Sequence, residues 1–333
     1  MANIFDVASE AGVSHQTVSR VVNGDTNVRP ATRARVDAAI AKLNYRPSAA
    51  ARALASRKTR ALGLISAGGP LFGPSSIMQG FEGAARQAGY QVSIATLPES
   101  NREILRTDMR RAIDALLGQN VEAIVLIAPD SAAIEAVQTV DISVPLVTAD
   151  SGEHDGLVAV SLDQFAGAVL ATEHLVALGH TEIAHVGGPV DWTDARERER
   201  GWRSVLESRG FEVREPFRGD WRPDSGYRVG LELAARDDVT AVFCANDQMA
   251  LGLLHAFAEC GIAVPDRVSV VGFDDIPEAA HFIPPLTTVR QDFAALGRQI
   301  MATLEGLLGA PDRAASGALL APTLVVRDST RPR

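Results

Sequence analysis

Residues 6–24, DVASEAGVSHQTVSRVVNG, carry two short helical patterns joined by a glycine, and the character of the whole amino-terminal part follows from how they are read. The spacing predicts a first helix over 4–11 capped by Asn3, whose short side-chain oxygen can accept from the free amides of the first turn. Gly12 ends it, since glycine alone takes the left-handed position after a helix without strain. Ser14 is placed to cap a second helix in which Val18, Val21 and Val22 share one side and His15, Gln16 and Arg20 another. One side packs; the other can reach bases. Gln pairs bidentately with adenine, Arg grips O6 and N7 of guanine, His donates to base-edge acceptors, and Ser14, Thr17 and Ser19 are short enough to touch phosphates. This is the pattern of a helix-turn-helix. A small amphipathic helix of the same composition can also be a solvated surface helix, so the neighbouring chain has to decide.

Charge supports the first reading. Residues 1–60 hold ten Lys/Arg against four acids, a net +6, which leaves −15 for residues 61–333 out of a total of −9. Only the amino-terminal part is suited to a polyanion. Behind Pro30, Val36, Ala39, Ile40 and Leu43 recur at helical spacing and predict a third helix that closes a small core with Val7, Ala8, Val13 and Val21. From 38 to 60 there are six basic residues and no acid, and the helix breaks at Tyr45-Arg46-Pro47 before the alanine-rich run 49–55. That run is too short for a stable free helix, so it reads either as a flexible basic linker or as a segment that becomes helical on a partner.

The 333 residues, 46 % hydrophobic and 22 % charged, suffice for two or three compact units. From Ala61 onward apolar strands alternate with amphipathic helices. Strands are expected at ALGLIS, QVSIATL, EAIVLIA, PLVTAD, LVAVSL, EIAHVGG, AVFCAN and SVVGF, with helices over 77–88, 165–178 and 248–260. Strand, helix, strand at this cadence predicts an α/β fold of doubly wound parallel sheets, with ligand sites at the carboxyl ends of strands. The run is too long for one sheet and predicts two lobes, dividing near 150–161 and joined again near 285–293.

Polar residues stand at several strand ends: Asp150, the Arg196/Arg198 pair, Trp221, Asn246-Asp247, Asp274-Asp275 and Gln291. Carboxylates accepting from hydroxyls, a donating guanidinium, an amide that does both and an indole face suit a polyhydroxylated ligand such as a sugar. Each also has a structural reading. Asn246, Asp247, Asp274 and Asp275 sit where helix caps would, ARERER can be a solvated helix face, and Trp221 can be core.

Cys244 and Cys260 show neither disulfide nor metal spacing, and MANIFDVASE lacks the apolar run of a secretory signal, so a cytoplasmic protein is expected. No stretch approaches the ~20 apolar residues that span a bilayer, and no membrane partner is expected. No G-x-S-x-G elbow, H-E-x-x-H zinc site or Walker-type phosphate loop is present, so no catalytic residue, metal or cofactor is expected. His174, His180 and His185 read as helix-end and strand residues.

With headpiece, basic linker and two-lobed body all in view, the chain resembles the lac repressor (LacI/GalR) family of bacterial transcription regulators over almost its whole length. The resemblance rests on DVASEAGVSHQTVSRVVNG, LNYRPSAAARALA, CANDQMALG, GFDDIPE and IPPLTTVRQDF. It implies an all-α helix-turn-helix domain over 1–46, a hinge over 47–60 and a periplasmic-binding-protein-like core over 61–333. The core's N-lobe would span about 61–160 plus 292–321, and its C-lobe about 161–291 plus 322–330. It implies a homodimeric repressor on double-stranded, near-palindromic operator DNA, controlled by a small sugar effector. The implied DNA-binding set is Ser14, His15, Gln16, Thr17, Ser19, Arg20 and Asn23, with Leu54 as a minor-groove wedge. The implied effector set is Asp150, Arg198, Trp221, Asn246, Asp274 and Gln291, with Leu71, Pro74, Ile77 and Phe293 as apolar walls. The chain departs from the family's lac-type members at Arg29, which replaces a Ser/Thr cap, at His15, and at Ile127-Ala128, which replaces a polar sugar contact. With no leucine-heptad tail after TLVVRDS, a dimer is expected rather than a tetramer.

Overall fold

The computed structural model describes residues 2–25, 27–46, 58–98, 102–128, 130–150, 152, 156–309 and 317–333. The chain divides into two compact units, residues 1–60 and 61–333. In the first, α1 (Ile4–Ala11) is capped by Asn3, whose side chain accepts from Phe5 and Asp6 amides while Asp6 returns a bond to the Asn3 amide, a reciprocal capping box. Gly12 ends α1 at φ 61°. The second helix, α2 (His15–Val22), starts on Ser14, which accepts from the Thr17 amide at 3.2 Å. The third, α3 (Pro30–Lys42), follows Arg29, which makes no side-chain cap. Val7, Ala8, Ala11, Val18, Val21, Val36 and Ala39 form the buried core. Arg33 is drawn in to hold the turn after α2, donating to the carbonyls of Asp25 and Val21.

The second unit contains two six-stranded sheets. One is wholly parallel and runs in the order β11 (Ala318–Leu320), β5 (Val158–Leu162), β4 (Leu146–Ala149), β3 (Ile124–Ile127), β1 (Ala61–Ser66), β2 (Gln91–Thr96). Its central strands are near-continuous apolar runs because both faces are covered, and successive residues alternate between two cores. Val125 and Ile127 face α4 (Phe72–Gln87) and α11 (Phe293–Gly309), whereas Ile124 and Leu126 face α5 (Arg102–Gly118) and α6 (Ser131–Gln138). The other sheet runs β12 (Thr323–Val325), β10 (Thr287–Arg290), β9 (Ser269–Asp274), β8 (Ala241–Cys244), β6 (Ile183–Gly187), β7 (Phe217–Arg218), with β12 the one antiparallel strand. Its covers are α9 (Pro223–Ala234) and α10 (Asp247–Glu259) on one face, α7 (Gln164–Ala177) and α8 (Thr193–Ser208) on the other.

The chain crosses between the lobes three times: after β5, after β10 and between β11 and β12. LVAVSL pairs in parallel with β4, so the first crossing comes after Leu162, later than the 150–161 stretch. The helix expected over 77–88 begins five residues earlier, at Phe72, since Leu71 caps it by backbone geometry alone, with no side-chain signal to read.

Candidate functional site

On α2 the spacing is realised as two faces. Val18 and Val21 are buried, while His15, Gln16 and Arg20 are exposed on a helix that lacks acidic residues in its first turn. His15 rests against Phe5, ring centroids 5.2 Å apart. Ser14 and Thr17 share a 3.0 Å hydroxyl contact, and the Asn23 amide donates to Ser19 at 3.3 Å, so the short polar residues are already ordered. Leu54 and residues 47–57 lie outside the described residues.

In the core unit, the carboxyl ends of both sheets open on a cleft, the place where doubly wound sheets hold their ligands. All ten expected effector residues line it: Leu71, Pro74, Ile77, Asp150, Arg198, Trp221, Asn246, Asp274, Gln291 and Phe293. Several of the competing structural readings are also true. Asn246 does cap α10, accepting from Met249 at 2.8 Å, and at the same time donates to the Trp221 carbonyl at 3.0 Å. That bond holds Trp221 at φ 72°, a conformation costly for a non-glycine residue. Gly188 makes room for the indole, since a Cβ there would lie 2.3 Å from it. The Trp221 Nε1–H is buried and meets no acceptor.

Arg196 and Arg198, paired in ARERER, part company. Arg196 stays exposed, bonding the carbonyls of Val190 and Asp191. Arg198 is 4 % exposed and stands over the Phe273 ring at 3.9 Å. Its Nη1 donates to the Ala245 carbonyl at 2.5 Å and its Nε to Gln164 Oε1 at 2.9 Å, while Nη2 lies 3.5 Å from Asp274 Oδ1. Gln164 in turn donates to Gln291 Oε1 at 2.9 Å, and Gln291 donates to Asp274 Oδ1 at 2.7 Å. The four side chains therefore form a closed buried ring. Asp275 points the other way, into Arg290 and Arg327 at 2.6 Å each, so the two adjacent acids cannot act as a pair. Burial pushes the Asp274 carboxyl up to about 6, against the pull of Arg198 and the Gln291 bond and with a small push from Asp194. Asp247 is fully buried beneath, accepting from the Ile276 amide and the Thr288 hydroxyl, and burial raises it strongly too.

Gln164, Trp192, Asp194, Phe72 and Ser161 also line the cleft and were not legible as site residues. A signal existed for two. Asp194 stands one helical turn before Arg198, and Gln164 comes two residues after a strand's carboxyl end, right behind the Asp163 cap. Ile127 and Ala128, noted as departures, are buried in the cleft's apolar wall. His174 bonds Thr330, His180 is held by Thr240 and Ser269, and His185 stacks between Trp202 and Phe243, where burial lowers it to about 4 and keeps it neutral. Among the described residues no His, Cys, Asp and Glu cluster is arranged to hold a metal, and no helix is long and apolar enough to cross a membrane.

Comparison with known proteins places this geometry. Residues 3–48 match the family model described as bacterial regulatory proteins, lacI family, and residues 172–330 match a periplasmic binding protein-like domain. The lactose operon repressor of Escherichia coli (strain K12) is 36 % identical, with 98 % of this chain and 90 % of that one covered. The HTH-type transcriptional repressor PurR of Haemophilus influenzae (strain PittEE) is 32 % identical over 99 % of both chains. The crystal structure of the lac repressor dimer bound to operator and the anti-inducer ONPF superposes with a TM-score of 0.89 at 35 % identity, covering 99 % of each chain. Identity of this extent over nearly the whole chain makes it a member of the lacI family of bacterial regulatory proteins, a DNA-binding transcriptional repressor and not an enzyme.

Proposed function

We propose that a small sugar, a galactoside or related glycoside, enters the cleft and releases the repressor from its operator. The observation that carries this reading is the pairing of a hydrogen-bonding floor, Arg198, Asp274, Gln291 and Asn246, with the Trp221 indole and an apolar wall. Hydroxyls on one side of a pyranose ring meet the floor, and C–H groups on the other meet the wall. Two copies of the chain act together, each headpiece setting α2 in the major groove of a half-site, with His15, Gln16 and Arg20 on bases and Ser14, Thr17, Ser19 and Asn23 on the backbone. Leu54 wedges into the minor groove between half-sites. Sugar draws the lobes together and separates the paired hinge segments. Operator affinity then falls by the difference in sugar affinity between the two states, which is the whole of the coupling energy.

The test is a thermal-shift screen across mono- and disaccharides, since a ligand that binds only the folded state raises its melting temperature, followed by operator titration with each hit. If no carbohydrate alters operator binding, induction by sugar is wrong. Arg20→Ala is expected to lose about 1–3 kcal/mol of operator affinity, with specificity relaxed at one base, while sugar binding stays intact. Operator affinity should also fall steeply with salt.

One observation favours a second reading, a repressor that a flat non-sugar ligand such as a purine tightens onto DNA. Phe72 and Phe293 meet edge to face in the wall, 5.9 Å between centroids, and present aromatic surface. Against it, Gly73-Pro74 stands in the cleft where a base would need a second flat clamp. Tighter operator binding with hypoxanthine or guanine would reverse the preference.

A further inference from the structure

The ring in the cleft floor has a direction. Arg198 donates to Gln164, Gln164 donates to Gln291, and Gln291 donates to Asp274, whose carboxylate also faces Arg198. Each amide receives at its oxygen and gives at its nitrogen, so the order runs one way and ends on the carboxylate. Two of the four members stand on lobe crossings. Gln164 opens α7 just after the first crossing, and Gln291 lies on the second, between β10 and α11. The other two, Arg198 on α8 and Asp274 at the end of β9, sit within the second lobe, and all four line the cleft. All four are 4–6 % exposed, so water does not compete for these bonds, and a lost one leaves a buried polar group unpaired.

We propose that Gln164 is a positioning residue that ties two of the three lobe crossings to the ligand-facing pair Arg198 and Asp274, so that the ring sets the angle at which the first lobe leaves the second. It need not touch the ligand. A hydroxyl that engages Arg198 and Asp274 changes the terminus of the ring, and the change reaches both crossings through two amides. This rests on the cleft being the effector site, but its central claim concerns the protein without ligand and can be tested there.

The geometry makes a specific demand. In Gln164→Glu the new carboxylate still accepts from Arg198 but cannot donate to Gln291. If Gln291 turns over to donate to Glu at 164, its oxygen faces the oxygen of Asp274. Either way one pair of acceptors is opposed. Adding Asp274→Asn relieves it, because the new amide donates to Gln291 and the ring closes in the opposite sense with the same total charge.

The measurement is a distance distribution between spin labels on Arg111→Cys in α5 and Glu232→Cys in α9, one in each lobe and both exposed. Cys260→Ser removes the exposed native thiol, and labelled chains are diluted into unlabelled protein so that only distances within one chain are read. Without ligand, the parent should give one narrow distribution. Gln164→Leu and Gln164→Glu should each gain a second population at a different distance, with circular dichroism unchanged, and the Gln164→Glu/Asp274→Asn double variant should return to the single narrow one. A parent-like distribution in both single variants, or a double variant no narrower than Gln164→Glu, overturns the proposal. In a second arm, methyl β-D-galactopyranoside is titrated against the tryptophan fluorescence of the parent. If it produces no change, the galactoside reading fails, while the ligand-free distances still judge the ring.

Discussion

The wall that the first lobe gives to the cleft and the floor that the second lobe gives hold their shapes by different means. Leu71, Pro74, Ile77, Ile127, Ala128 and Phe293 pack through contacts without direction, so a methyl group more or less shifts the wall by small steps. Arg198, Gln164, Gln291, Asp274 and Asn246 are held by directed bonds, each consuming the donor or acceptor of the next. Asp274 in the floor, at φ 104°, and Trp221, tied to the floor by Asn246, at φ 72°, carry left-handed backbone, while no non-glycine wall residue does. On the proposed reading, the wall tunes how well a ligand fits and the floor decides whether one is recognised at all.

The largest expected break in this contrast is Arg198→Ala. It leaves the Asp274 carboxylate buried without its cation and should cost about 2–5 kcal/mol of sugar affinity, equivalent to about 30-fold or more. Operator binding should persist. Calorimetry and gel shift on the same preparation decide, and loss of both functions would mean the floor serves the fold rather than the ligand.

Next in size is the pH response. With Asp274 raised to about 6, a sugar hydroxyl that donates to its carboxylate favours the ionised form. Affinity should be level above about pH 7 and fall by up to about tenfold per pH unit below 6. Asp274→Asn should flatten the profile. For folding the sign is opposite. A carboxyl with a raised folded-state value contributes most below the unfolded value near 3.9 and loses that contribution as pH rises through about 6. The Asp247 shift, upward for the same reason of burial, acts in the same sense. Ligand-free melting temperature should therefore carry a component that declines over that window while sugar affinity climbs.

A sharper probe separates the indole's face from its edge. In Trp221→Phe the aromatic surface is largely kept and a buried donor without an acceptor is removed. The space left beside Gly188 should cost the fold about 1 kcal/mol, and a ligand that accepts from Nε1 should bind about 0.5–1.5 kcal/mol more weakly on top of it. Equal sugar affinity in the two proteins would show that only the ring face matters. The smallest effect belongs to the wall. Ile77→Ala on the half-buried first turns of α4 should cost about 1–2 kcal/mol in affinity at most and leave the pH profile and the operator response unchanged.

The headpiece and the core differ as much in legibility as the two faces of the cleft do in construction. Asn3, Gly12 and Ser14 act on backbone groups within four residues of themselves, and Val18 and Val21 are buried by the helical period alone, so reading the chain locally is enough. The strands of the core are equally plain where both faces are covered, as in IVLI and AVFC. The two-residue strand Phe217–Arg218 and the start of α4 at Phe72 give no comparable local signal.

The chain by itself thus determined the helix-turn-helix, the parallel doubly wound sheets, the concentration of basic charge in the first sixty residues and the set of polar residues at strand ends. Read locally, it left Arg198 and Arg196 together in one acidic and basic run, and only the family resemblance singled out Arg198 and Asp274. That Arg196 stays outside and that Asp275 faces away from Asp274 came from the structure. The chain alone could not show the ring, whose bonds join residues 34, 127 and 17 positions apart. The reason is physical. Caps and periods are settled by bonds to near neighbours along the chain, whereas which charge is buried depends on what three separate lobe crossings bring against it, and that is decided only when the sheets have formed.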